Sequence, residues 1–135
     1  MTIDERVEKA KAFFEEGYNC SQAVYMAFAD RYGLNEQLAA TIAAPLGGGI
    51  GRMREVCGAV TGMALVVGLE IPVNNPHDKA AKMRNYAAVK EAGEAFKSCH
   101  GSVVCRELLT AGKHSCQQMV ETAARILAEK LDKEQ

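Results

Sequence analysis

Residues 57–67 read Cys57-Gly58-Ala59-Val60-Thr61-Gly62-Met63-Ala64-Leu65-Val66-Val67, and they decide the fold. A helix over this run, from about Glu55 or Cys57 to Val67, is apolar on almost every side. In a water-soluble protein such a helix lies at the centre and is covered all round by others. The stretch before it, Gly47-Gly48-Gly49-Ile50-Gly51, is a glycine-rich loop.

Outward from this helix the chain keeps a helical pattern. A first helix is predicted from Asp4 to Glu16, with Thr2 and Glu5 as a capping box and Gly17 as its stop. Val7, Ala10, Phe13 and Phe14 share its inner face. A second runs from Cys20 to about Tyr32, with Ala23, Val24, Ala27 and Phe28 inward and Gly33 as the stop. A short third begins after Asn35 and ends at Pro45. After the loop from Gly68 to Pro76, Asn75 caps and Pro76 starts a fifth helix running to about Lys97. On it, Met83, Tyr86, Ala87, Lys90, Glu94 and Lys97 divide the faces. Ser98-Cys99-His100-Gly101 is read as a turn. A short helix carries Cys105 to Leu109. The last runs from Cys116 to about Leu131, with Val120, Ala123, Ala124, Leu127 and Leu131 inward. β-Branched residues are scattered and build no alternating strand. The expected architecture is all-α: a single domain over residues 1–135, a bundle of about six helices.

Composition narrows the function classes. With 16 Lys and Arg against 17 Asp and Glu, the net charge of −1 gives no electrostatic case for nucleic acid or an anionic membrane. No window approaches a membrane span. The start, Met1-Thr2-Ile3-Asp4-Glu5-Arg6, is charged and no apolar segment follows it, so a signal peptide is not expected and the cytoplasm is the default compartment. Disulfides are rare there, and those that form are usually transient or catalytic.

The five cysteines are the chemical signal. Asn19-Cys20-Ser21-Gln22 and Ser115-Cys116-Gln117-Gln118 each read as a cap, a thiol and a capping-box partner. Cys57 opens the apolar helix, and Cys105 follows Ser102 ahead of Arg106-Glu107-Leu108-Leu109. A thiol at a helix start faces unpaired N–H groups and the positive end of the dipole, which favours thiolate. Cys57, next to Arg52 and Arg54, is expected to be the most activated, with Cys20, Cys105 and Cys116 as resolving or paired thiols. Cys99 has no cap and reads as a packing residue. His114, two residues before Cys116, is a candidate for lowering that thiol's pKa. Met26, Met53, Met63, Met83 and Met119 read as core filler.

Three readings follow. The first is thiol–disulfide or electron-transfer chemistry, a thiol-based oxidoreductase that needs no cofactor. The second is a zinc or iron–sulfur site held by Cys20, Cys57, Cys105 and Cys116. No C-x₂-C pair supports an ordinary metal site, so those ligands would have to be gathered by tertiary packing. The third is an interaction domain with inert cysteines. The glycine-rich loop lacks the Lys-Ser/Thr of a phosphate loop and follows no strand, so it reads as a place of close backbone approach. The expected partner is a redox protein or small molecule. Substrate, disulfide pairing and homo-oligomerisation stay open.

The same residues carry a resemblance. Asn19-Cys20-Ser21-Gln22-Ala23-Val24, the Gly47–Gly51 loop, Cys57-Gly58-Ala59-Val60-Thr61-Gly62, Gly101-Ser102-Val103-Val104-Cys105-Arg106-Glu107-Leu108-Leu109 and finally Cys116 resemble the redox-active protein family named for its C, GCAxxG, C and C elements. The resemblance runs from about Phe13 to Leu127. It implies redox chemistry at Cys20, Cys57, Cys105 and Cys116, and it leaves Cys99 outside the pattern. A related module occurs in split-Soret cytochromes c. This chain has no Cys-x-x-Cys-His for haem attachment.

Overall fold

The computed structural model describes residues 1–112 and 114–133. It is all-α, with seven α-helices among the described residues: α1 (Ile3–Glu15), α2 (Cys20–Met26), α3 (Glu36–Ala43), α4 (Gly58–Glu70), α5 (Lys79–His100), α6 (Cys105–Ala111) and α7 (Cys116–Lys133). None is long and apolar enough to cross a membrane.

The caps explain most of the boundaries. The Thr2 hydroxyl accepts from the Glu5 N–H while the Glu5 carboxylate accepts from the Thr2 N–H, so α1 starts as predicted. Asn19 and Gln22 do the same for α2, and Ser115 and Gln118 for α7. Other boundaries differ, and α4 runs on to Glu70, three residues past the expected Val67. The second helix leaves α geometry after Met26 and finishes as a 3₁₀ turn over Ala29–Tyr32, closed by left-handed Gly33. The fifth starts after Asp78, not at Pro76, because Asn75 spends its side-chain oxygen on the His77 N–H in a turn while Asp78 accepts from Ala81. It also runs on to His100 before left-handed Gly101 stops it, so the expected turn at 98–100 is helix.

At the centre lies α4. It packs against α2, α5 and α7, while α1 lies along α7 and α2. The residues expected inward on the second helix are buried, Ala23 and Val24 on α2 and Ala27 and Phe28 just past its end, and α7 buries Met119, Val120, Ala123, Ala124, Leu127 and Leu131. On α5 the buried residues are Ala81, Ala88, Ala92 and Phe96, whereas Met83 and Tyr86 are exposed. Three alanines and Phe96 make the buried face of α5, and Met83 and Tyr86 lie off it. Met53 is exposed too, so only Met26, Met63 and Met119 of the five named methionines fill the core.

Candidate functional site

Cys20, Cys105 and Cys116 occupy the first position of α2, α6 and α7, and Cys57 is the cap residue of α4. The four line one cavity of about 160 Å³, and all are free thiols. Phe14 of α1, Leu108 and Leu109 of α6 and Met119 of α7 complete an apolar wall, with Gly48, Gly49 and Arg54 on the loop side.

A short non-local pairing joins two of the thiols. Val56 and Val104 form an isolated antiparallel bridge. The Cys57 N–H donates to the Val103 carbonyl at 2.8 Å, and the Cys105 N–H donates to the Glu55 carbonyl at 2.6 Å. Successive residues on extended backbone point to opposite faces. Cys57 and Cys105 each follow a bridge residue, and both line the same cavity.

The glycine-rich loop winds tightly against this pairing. The N–H groups of Ile50, Gly51, Arg52, Met53, Arg54 and Glu55 all donate to carbonyls between Pro45 and Ile50. These six are consumed inside the loop and are not free to cradle an anion. Gly49 is left-handed at φ 74° and lies against Cys105. Ile50, Arg52 and Arg54 are left-handed as well, at φ 65°, 63° and 62°. Such a conformation costs a residue with a side chain about 1–2 kcal/mol. The loop's hydrogen bonds offset this and hold Arg54 at the thiols. Its Nη1 donates to Cys105 Sγ at 3.9 Å. Arg52 is exposed and lies off the cavity wall.

Acidity does not follow helix-start position alone. Cys116 is pulled down to about 6, first by a hydrogen bond from the Cys20 thiol and also by the Arg54 charge, against its burial. Its partner Cys20 is pushed up, because that hydrogen bond keeps its proton in place and burial disfavours a second charge. Cys57, expected to be the most activated, is instead pushed up to about 11. Burial is the main cause. It outweighs the Ala59 and Val60 N–H groups at the start of α4, which pull the other way. Only 4% of Cys57 is exposed.

Cys99 is exposed in the last turn of α5 and lies off the cavity. His114 packs edge-on against His100, with ring centroids 4.5 Å apart, and His100 shares a hydrogen bond with Thr122. These two histidines and Cys99 line a separate surface groove. The acidity of Cys116 is accounted for by Cys20 and Arg54, not by His114. The pairing of Val56 with Val104 and the separate roles of Arg52 and Arg54 had no signal in the residue pattern.

Residues 18–130 match the family described as "Putative redox-active protein (C_GCAxxG_C_C)". The chain belongs to this family. In this member the second element runs Cys57-Gly58-Ala59, with the thiol ahead of the glycine. No curated protein and no solved structure matches the chain.

Proposed function

We propose that the protein is a thiol-based redox protein that cycles between a dithiol and a disulfide, with Cys116 as the nucleophile and Cys20 as the thiol that resolves it. One observation carries this reading: Cys20 and Cys116 line one cavity from the first positions of α2 and α7. The lowered pKa of Cys116 and the raised pKa of Cys20 agree with it. A reactive dithiol needs both a thiolate at working pH and a partner within reach. Cys57 and Cys105, buried on the same wall, are the slower thiols and form a reserve behind the first pair. This replaces Cys57 with Cys116 as the lead nucleophile.

A second reading has its own support. Among the described residues no three Cys, His, Asp or Glu side chains are arranged to hold one metal ion, so a lone zinc does not fit. Four thiols around about 160 Å³ are a wider set, suited in donor type and room to an iron–sulfur cluster held by four cysteines.

Protein purified without oxidant or chelator separates the readings through a thiol count by differential alkylation and a metal assay. Reversible loss of Cys20 and Cys116 as a pair is the expected result. Stoichiometric iron with sulfide establishes the second reading. Five thiols that stay free under mild oxidant overturn the first.

A further inference from the structure

The cavity wall is chemically uneven. Phe14, Leu108 and Met119 make it apolar, and Arg54 is the charged side chain on it. Arg54 forms no ion pair among the described residues. Its backbone is anchored on both sides: its N–H donates to the Gly48 carbonyl and its own carbonyl accepts from the Arg106 N–H, each at 3.1 Å. Arg54 is an exposed residue on the loop side of the cavity, its guanidinium against the Cys105 sulfur. With no carboxylate paired to it among the described residues, it is placed to stabilise negative charge that develops there.

We infer that the oxidant taken by this site is a small organic hydroperoxide with an apolar body, and that Arg54 stabilises the alkoxide leaving from it. The inference rests on the reading of Cys20 and Cys116 as the reactive dithiol. Size supports it. The cavity of about 160 Å³ is comparable with an apolar cavity of about 150 Å³ that accepts benzene. Cys57 and Cys105 are 4% and 8% exposed and close the inner side of the cavity, while Cys20 and Cys116 are half-buried on it.

The chemistry closes with these residues. The Cys116 thiolate attacks the terminal peroxide oxygen; an S–O bond forms as the O–O bond breaks, and the alkoxide leaves with the electron pair. Cys116 is then a sulfenic acid. The alkoxide takes the Cys20 proton and departs as the alcohol. The Cys20 thiolate attacks the Cys116 sulfur, forming the disulfide and expelling hydroxide. That hydroxide becomes water with the proton Cys116 had already given to solvent. Two thiols are oxidised by one hydroperoxide, giving one alcohol and one water. A thiolate leaving from a disulfide is a weak base and needs no such help. An alkoxide needs both a cation and a proton, and Arg54 and Cys20 supply one each.

The test uses the reduced full-length chain in single turnover at pH 8 with tert-butyl hydroperoxide, hydrogen peroxide and hydroxyethyl disulfide. The expected result is that tert-butyl hydroperoxide forms the Cys20–Cys116 disulfide about tenfold faster than hydrogen peroxide, because its body fills the apolar wall. Arg54→Gln should slow that reaction about 100-fold, Arg54→Lys should recover part of it, and the reaction with hydroxyethyl disulfide should change far less. If the disulfide reagent oxidises the pair while tert-butyl hydroperoxide is no faster than hydrogen peroxide, the inference is overturned and the dithiol reading stands. The same holds if Arg54→Gln slows all three reagents equally. If no reagent oxidises the pair, the dithiol reading fails and the inference fails with it.

Discussion

Gly49 lies directly against Cys105: a Cβ added to Gly49 would come within 2.8 Å of the Cys105 Cβ. It would also sit 2.7 Å from the Glu55 nitrogen, next to the carbonyl that receives the Cys105 N–H. The loop and the thiol are therefore packed as one unit. Gly49→Ala adds a methyl where there is no room and forces a side chain into the left-handed region. The expected loss is about 1–3 kcal/mol of stability, together with displacement of Cys105. Chemical denaturation and peptide-resolved alkylation of Cys105 check this. A variant as stable as the parent, with unchanged Cys105 labelling, would refute the packing.

Cys116 and Cys20 make a prediction with a definite sign. Below about pH 6 Cys116 holds its proton and should alkylate slowly; above that value it is thiolate and should react fast. Its hydrogen bond from Cys20 is the main cause. Cys20→Ala removes the donor, so the midpoint of the iodoacetamide rate against pH should climb towards the ordinary 9.0. Arg54 remains and should hold back part of that rise. A midpoint that does not move would mean that the two thiols are not coupled.

Local signals carried much of this site. The pairs Asn19 with Gln22 and Ser115 with Gln118 are three residues apart, so the starts of α2 and α7, and with them Cys20 and Cys116, were legible from neighbours alone. The apolar run from Ala59 to Val67 likewise announced the central helix. What was not legible is set by distant partners. Dipole and N–H groups act equally on any thiol at a helix start, but burial does not, and the depth of Cys57 depends on packing against other helices. That is why Cys57 and Cys116 exchanged ranks. The bridge of Val56 with Val104 spans too few residues to leave a periodic pattern. Met83 and Tyr86 look like core by size, yet both are exposed, and α5 buries Ala81, Ala88, Ala92 and Phe96 instead.

Cys57 should be alkylated far more slowly than Cys116 near neutral pH. Its value of about 11 leaves it overwhelmingly protonated there, and it is almost fully covered. Partial denaturation should speed its labelling far more than that of Cys116, because it removes the burial that raised it. Labelling of Cys57 ahead of Cys116 in the native protein would reverse the assignment of nucleophile.

Cys99 offers a control inside the same chain. It is exposed on α5 and lines the groove with His100 and His114, apart from the thiol cavity. Cys99→Ser should change stability by no more than about 0.5 kcal/mol. It should also leave oxidation of the Cys20–Cys116 pair at the parental rate. Loss of thiol cycling in this variant, with cycling retained in Cys116→Ser, would place the reactive centre in the groove.

Gly62 sets how closely α2 and α4 approach, and so where Cys20 and Cys57 stand relative to each other. A Cβ at this position would lie 2.9 Å from the Val24 Cβ and 3.0 Å from the Ser21 carbonyl oxygen. Both neighbours are fully buried in α2, one of them a backbone atom, and neither can swing aside. Gly62→Ala would gain in helix propensity, but here the overlap outweighs that gain. The expected net cost is about 1–3 kcal/mol, read from denaturant midpoints. The helices should part by a few tenths of an ångström, which loosens the Cys20 side of the cavity. Slower oxidation of the Cys20–Cys116 pair in a variant that still folds would be the functional sign of that shift. A stabilised Gly62→Ala would mean that α2 and α4 are not in close contact at this level.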